Sequence, residues 1–575
     1  CIGNPPYSIG QKSANDDAGN LHYEKLDKKI AESYAKNSKA NLKKGLYDNY
    51  IRAFKWASDR IQENGIVSFI TNGSFIDNQG MDGFRRCLLN EFTSIYVFNL
   101  RGDQRTQGET SRREGGKIFG SGSRTPVAIT CLVKKSNKQK DNYIHYYDIG
   151  DYLTREQKLK IIFEKGSIEN INWDNINADE NNDWINKKSS NFSSFIEMGN
   201  RNGKGIFLDY AIGMSTNRDS WVYNFDREKL NMNVSTMIEF YNNQVKYFKK
   251  NNDYIYDNDK ISWSDGLKKK CKKGQLIESN FSSIVTVLYR PFCKQLLYNL
   301  DSIIERPGRL GDYFIKNNIA IAVQGSGSKK EFSCLAVNSI AGVDTIEKSQ
   351  YFPRYKYIVN KDDNLFSRSD EFVKKSNITK HLQKIISKKY KIEVSDDDIF
   401  YYIYGILHSN DYRLKYENDL KKSLPRIPLV ASYDDFVKFS ESGKKLMDLH
   451  LNYEKVKPYN KCNISAYTDA SYTVTKMKFS KTGDKSSIDY NDRITISNIP
   501  LKAYEYIVNG KSAIEWIMER YAITTNKKCG IVNDPNDWCK EVNDEKYIFN
   551  LLLRIINVSI QTVDIVNSLP KLDFE

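Results

Sequence analysis

Between residues 46 and 61 the apolar side chains Leu46, Tyr50, Phe54, Ala57 and Ile61 recur at the spacing of one helix face. Gly65 closes that stretch. The run Ile66-Val67-Ser68-Phe69-Ile70 then predicts a buried strand of a parallel sheet. The alternation repeats, with a helix from Gly83 to Phe92 and a strand from Ser94 to Leu100. Residues 101–124 are a long polar loop carrying Gly102, Gly108, Gly115, Gly116, Gly120 and Gly122, and Val127 to Lys134 predicts another strand. At the start, Cys1-Ile2-Gly3 reads as the tail of a strand running into Asn4-Pro5-Pro6-Tyr7. Such alternation predicts an α/β fold, with residues 1–135 forming half of a doubly wound sheet. A chain that opens on a strand tail is expected to be a fragment whose upstream portion is not included.

Residues 136–395 change character. Short aromatic runs (Tyr143 to Tyr147, Trp221 to Phe225, Ile284 to Phe292, Tyr351 to Tyr357) alternate with Asn, Lys and Gly, which suits a β-rich, mixed α+β domain with long surface loops. Its densest positive run is Lys268, Lys269, Lys270, Lys272 and Lys273. Residues 396–575 read as mostly helical, most clearly at Ile399–Leu407, Ala503–Tyr521 and Tyr547–Val566. The last has an apolar stripe through Ile548, Leu552, Ile555, Ile556 and Ile560, as a core helix should.

Composition narrows the partner. At 575 residues there is room for roughly two to four domains, and a net charge of +15 favours a polyanion. No run of 18 apolar residues is present, so no membrane partner is expected. Nine Cys without CxxC pairs and five well-separated His make a disulfide framework or a metal site unexpected, and reduced thiols in a cytoplasmic protein fit better.

The sharpest chemistry lies at Asn4-Pro5-Pro6-Tyr7, at the carboxyl end of a strand, where open α/β sheets bind ligands. The Asn4 amide oxygen and the Pro5 carbonyl are two acceptors suited to both protons of an exocyclic amine on a planar base. Consecutive prolines donate no backbone hydrogen and stiffen the turn, and Tyr7 offers a face for stacking. The plain alternative is a turn with a satisfied Asn and a surface Tyr; the position at a strand end weighs against it.

The tetrad resembles motif IV of N6-adenine DNA methyltransferases. Leu46-Tyr47-Asp48-Asn49-Tyr50-Ile51-Arg52-Ala53-Phe54, the segment Gly115 to Pro126, Ile399 to Ser409 and Val508 to Trp516 resemble the type ISP restriction–modification enzymes. Those are single polypeptides joining nuclease, helicase-like ATPase, methyltransferase and target-recognition domains. The resemblance implies the C-terminal half of a Rossmann-like S-adenosylmethionine-dependent methyltransferase sheet in 1–135, a DNA target-recognition domain in 136–395 and a mostly helical domain in 396–575. It implies that Asn4, Pro5 and Pro6 line the amino-group site and that Tyr7 stacks on the base. Phe119, in a loop resembling motif VIII, is the candidate for a second stacking aromatic. S-adenosyl-L-methionine is the implied cofactor, with its main binding elements upstream of Cys1 and absent. ATP and Mg belong to the equally absent helicase and nuclease parts, expected on the same parent polypeptide.

Other motifs carry less. Asn509-Gly510-Lys511-Ser512 ends like a phosphate-binding P-loop, but Glu505 stands where that motif needs Gly, and a helix N-cap is the better reading. Gly325-Ser326-Gly327-Ser328-Lys329-Lys330 is either a phosphate cradle or a flexible turn, which makes Lys329 and Lys330 further DNA-binding candidates. Two functions stand side by side: adenine-specific methylation of a flipped base in double-stranded DNA by the full-length enzyme, and a non-catalytic DNA-recognition module when the chain is isolated. An RNA-directed methyltransferase shares the motif, and the lysine- and aromatic-rich middle region argues for duplex DNA instead.

Overall fold

Apolar runs bounded by Gly and Thr-Pro become the inner strands of a six-stranded mixed sheet. Its order is β1 (Ile2–Gly3), β2 (Gly65–Asn72), β4 (Val127–Lys134), β3 (Ser94–Arg101), β5 (Ile144–Asp148) and β6 (Asp174–Ile176). The computed structural model describes the chain except for residues 7–21, 41–42, 107, 121–122, 137–138, 142, 186, 201–202, 254, 256, 258, 329, 360–371, 482 and 574–575. Two compact units result, Cys1–Ser189 and Ser190–Glu575.

In the first unit β1 and β2 run parallel, as do β3 and β5, but β4 lies antiparallel between β2 and β3. The sheet is therefore mixed. Helices α1 (Glu24–Ile30), α2 (Asn49–Ser58) and α3 (Asp82–Glu91) accompany it. The predicted stripe of α2 is buried: Tyr50, Phe54 and Ala57 have at most 1% exposure. Phe54 meets Phe69, Phe75 and Phe84 at ring distances of 5.1, 6.1 and 5.4 Å, geometries that add to the area they bury.

This unit runs past the boundary expected at residue 135, and the reason is specific. Arg85 of α3, fully buried, donates to the carbonyls of Phe75 (2.9 Å), Asn78 (2.8 Å) and Asn182 (2.6 Å) and to the Asp183 carboxylate (2.7 Å). Trp184 packs edge-on against Phe75. A buried guanidinium is tolerable only with its donors satisfied, so the segment carrying Asn182 and Asp183 is as much part of the core as the strands.

The second unit is α+β, then mostly helical. A four-stranded sheet joins Ala211–Ile212, Gln350–Pro353, Ala320–Val323 and Cys334–Val337. The hairpin Ile284–Arg290 and Cys293–Tyr298 packs against the 25-residue helix Arg227–Asn251. The helices Asp396–His408 and Tyr433–Leu451 cross at close range, where a Cβ at Gly405 would stand 2.3 Å from the Phe439 carbonyl and one at Gly443 would stand 1.9 Å from that of Tyr401. The expected stripe of Tyr547–Asn567 is buried at Ile548, Leu552, Ile555 and Ile556. That helix is apolar and long enough to cross a bilayer, but most of it lies in this core.

Two features of the second unit depart from expectation. The helix predicted over Ala503–Tyr521 is instead a 3-10 turn, a hairpin of Ile507–Val508 with Lys511–Ser512, and a helix from Ala513 to Arg520. Asn509 and Gly510 both take positive φ (53° and 81°), the two-residue turn that Asn-Gly favours between antiparallel strands. A four-stranded sheet of Asn463–Ala466, Ile494–Ser497, Asp484–Asp489 and Lys478–Lys481 interrupts the helical region.

His408 and His450 are 1% exposed in this core. His450 shares hydrogen bonds with the Tyr404 hydroxyl (2.7 Å) and Thr562 (3.0 Å), and His408 donates to the Tyr404 carbonyl (2.9 Å). Burial, then the charge of Arg413, pushes His450 down to about 3 and holds His408 well below its ordinary 6.5. The fold keeps both rings neutral, so as pH falls below about 6.5 the unfolded chain takes up protons that the folded one refuses. The contribution of both rings is complete above that pH and declines as pH falls, for His450 down towards about 3. Urea unfolding at about pH 7.5 and about pH 5 should differ by on the order of 2 kcal/mol from His450, with the difference reduced in His450→Gln. Equal stability at both values in the wild type would contradict this.

Candidate functional site

Asn4 is set by the strand before it. Ile2 and Gly3 pair in parallel with Ser68 and Phe69, and the Cys1 carbonyl accepts from the Ser68 N–H at 2.8 Å. Pro5 and Pro6 have no N–H with which to continue the ladder, so the backbone leaves the sheet at Asn4. The Asn4 side chain is exposed and has no hydrogen-bond partner among the described residues. Tyr7, the predicted stacking aromatic, lies outside the described residues.

A cavity of about 460 Å³ opens beside Gly3, Asn4, Pro5 and Pro6. Tyr23, Leu26, Phe69 and the α2 residues Asn49, Arg52, Ala53 and Trp56 complete its lining. Positions 49, 52, 53 and 56 follow one another at helical spacing, on a face distinct from the buried Tyr50–Phe54–Ala57 stripe. The sequence predicts this helix from its buried stripe alone, and its resemblance covers Leu46 to Phe54. The signal that was available is the second face of the same helix, with Asn, Arg and Trp at helical intervals.

Arg52 is fixed on that face. Its Nε and Nη2 donate to the two carboxylate oxygens of Asp27 at 2.7 and 2.9 Å, and Nη1 donates to Asn49 at 3.0 Å. Burial acts to raise the Asp27 carboxyl, but the Arg52 hydrogen bonds and charge outweigh it and hold it below its usual range. The guanidinium stands 5.2 Å from the centre of the Tyr23 ring. Trp56 is 47% exposed, with the Arg60 guanidinium 3.8 Å from its ring centre. Among the described residues, the lining beside Asn4 thus offers aromatic faces and a held cation, and no carboxylate.

Phe119 is not among the residues lining this cavity. It is half-buried against the cluster of Phe98, Leu100, Ile118, Val127 and Ile149. The segment that carries it, expected as a loop throughout, instead holds a helix at Gly108–Glu114, and it is braced. Lys158, with no exposed surface, donates to the carbonyls of Glu114 (2.7 Å) and Gly116 (2.9 Å), Gln104 donates to the Gly115 carbonyl (2.9 Å), and Arg101 pairs with Asp148 and Asp151. Burial pushes Lys158 down to about 8.

The basic candidates of the second unit separate into different environments. Lys269, Lys272 and Lys273 are exposed, whereas Lys270 donates to the Ser302 carbonyl at 2.7 Å and holds that loop. Lys329 lies outside the described residues, and Lys330 is half-buried. In the 325–330 loop the N–H groups of Gly325, Gly327 and Lys330 already donate, to Glu347 O (3.3 Å), Lys421 O (2.7 Å) and Ser328 Oγ (3.3 Å). These three are committed to the protein itself. Lys511 pairs with Glu519, and Ser512 caps the following helix through a reciprocal bond with Glu515.

Comparison with known proteins fits both units. The family model described as the Eco57I restriction-modification methylase matches residues 1–105, and that of the Type ISP C-terminal specificity domain matches residues 205–551. The second match covers more than half of the chain, which belongs to the Type ISP restriction–modification family. Among solved structures, a nuclease-deletion mutant of the Type ISP enzyme LlaGI in complex with a DNA substrate mimic matches with a TM-score of 0.89 at 42% identity, over 100% of this chain and 44% of that one. The ATP-dependent Type ISP enzyme LlaBIII bound to DNA gives 0.87 at 38%, over 100% and 37%. The DrdV–DNA complex gives 0.85 at 29%, over 100% and 57%. The chain thus spans between 37% and 57% of the length of these relatives. A search of curated proteins found no match.

Proposed function

We propose that the polypeptide to which this chain belongs is a site-specific DNA methyltransferase that transfers a methyl group from S-adenosylmethionine to adenine N6 of a base turned out of duplex DNA. The first unit handles the amine, and the second recognises the sequence. One observation supports this above the others: a free Asn4 amide at the carboxyl end of a parallel strand, stiffened by two prolines, facing a cavity with aromatic walls. The relatives solved with DNA and the net charge of +15 favour the same partner.

In this reading the Asn4 oxygen and the Pro5 carbonyl accept the two N6 protons. The amine is held with its lone pair directed away from both acceptors, and its hydrogen bonds remain in place while the nitrogen gains positive character. No strong base is needed. The acceptors stay on the proton side until solvent takes the surplus proton. The groups that hold S-adenosylmethionine are proposed to lie mainly outside this cavity. Tyr7 and Phe119 retain their proposed stacking roles.

Asn4→Ala in the full-length enzyme should lower the methylation rate on the order of a hundredfold, the scale on which one preorganised polar contact to the reacting group acts. Tyr7→Ala should lower it about tenfold, since stacking contributes about 1–3 kcal/mol per base, and calorimetry should find S-adenosylmethionine binding nearly intact. A fully active Asn4→Ala enzyme removes the proposed role of that amide. For the second unit, reversing Lys269, Lys272 and Lys273 to Glu should weaken binding to all duplexes alike and flatten the salt dependence by about one per lost phosphate contact. Unchanged anisotropy titrations at low salt would make that lysine face a solvated surface.

A further inference from the structure

The second unit holds a polar cleft of about 230 Å³ that the Asn4 chemistry does not use. Its walls are the turn 214–219, the end of the strand Ile284–Arg290 and the loop 342–344. The turn and the loop are fastened to each other, Val343 N–H donating to the Met214 carbonyl at 2.7 Å. Below the turn, Arg218 is 3% exposed and donates to Ser264 Oγ (2.6 Å) and the Ile303 carbonyl. The turn is therefore anchored from inside, and it presents Asn217, in a left-handed conformation (φ 57°), to solvent.

The cleft combines one directed cation with carboxylates. The Arg290 guanidinium lies over the Tyr289 ring at 4.0 Å, donates to the Tyr289 carbonyl (2.8 Å) and reaches Asp219 at 3.4 Å. Asp219 is occupied in turn, accepting from the Tyr289 hydroxyl (3.3 Å) and from Thr216. It holds Arg290 and has little left for a ligand. Arg290, with five N–H donors and two of them used within the protein, keeps the rest for one. Asp344, at the rim, is exposed and has no hydrogen-bond partner among the described residues. Two carboxylates in one cleft disfavour a phosphate. A fixed fork of donors beside a free acceptor fits a pair of acceptors next to an amino group, the pattern a G·C pair shows in the major groove.

We propose that this cleft reads the major-groove edge of a G·C pair: Arg290 donates to guanine O6 and N7, Asp344 accepts from cytosine N4, and Asp219 is the positioning residue that aims Arg290. The assignment rests on the recognition role proposed for the second unit. Lys330, which has no ion-pair partner among the described residues, and Arg520 lie near enough to Arg290 to interact with its charge, and they supply positive potential for the adjoining backbone.

The test is selection of bound duplexes from a randomised double-stranded library by the 575-residue chain, followed by titration of the recovered sequence. Wild type should recover a motif containing an invariant G·C pair. Arg290→Ala should recover the same motif degenerate at that pair alone, and Asp344→Ala, a change at an exposed side chain that leaves folding intact, should relax the same position. Placing 7-deazaguanine there, which removes N7, should weaken wild-type binding by about tenfold and leave Arg290→Ala unaffected. If wild type selects a motif and both variants select it unchanged, with the same 7-deazaguanine penalty, the assignment is wrong while the recognition role stands. If wild type selects no motif at all, the recognition role fails and the assignment falls with it.

Discussion

Asn4 stands where it does because Ile2 and Gly3 are held in parallel register against Ser68 and Phe69. Two ladder positions are little on their own, and their strength is borrowed from β2, whose other edge is paired along all eight residues with β4. Phe69 links the two sides of the arrangement. It is a ladder partner of Gly3, a wall of the cavity and an edge-on contact of Phe54 in the core. Helix α2 then does double service, one face packed on that core and the next lining the cavity with Asn49, Arg52 and Trp56. A change that loosens β2 would reach the site through backbone register before it touched any functional side chain.

Buried charge serves as fastening in both units. Arg85, Lys158 and Arg218 are each nearly or wholly buried, and each spends its donors on backbone carbonyls or a partner from a distant segment. Removing one end of such a contact strands the other in a low-dielectric interior, a loss larger than the net gain of making the contact. These ties therefore fix where loops sit more than how stable the fold is. The segment 101–124, with its helix Gly108–Glu114, and the 214–219 turn are held in this way.

Much of the fold was legible in the chain. The strand at Val127–Lys134 falls at its expected bounds, and the predicted strands and helices through residue 101 are present, because apolar runs and helical stripes report burial directly. The antiparallel direction of β4 was not legible, since a run apolar on both faces reads the same either way. The hairpin inside Ala503–Tyr521 was masked by apolar residues at helical spacing on either side of an Asn-Gly turn. The sheet between Asn463 and Ser497 was missed because few of its side chains, Ile488, Ile494 and Ile496, are buried among exposed polar neighbours. At the candidate site, residue type points to Asn4 to Pro6, while the α2 wall and the cleft at Arg290 depend on contacts between segments distant in sequence.

The central claim is that the amine handled at Asn4 belongs to adenine in a defined duplex sequence. Single-molecule mapping of modified bases in the genome of cells carrying the full-length gene tests it most directly. The account predicts N6-methyladenine confined to one recurring sequence context, lost when the gene is deleted. Modification of cytosine in that context, or a genome with no gene-dependent adenine methylation despite expression of the folded protein, would contradict it.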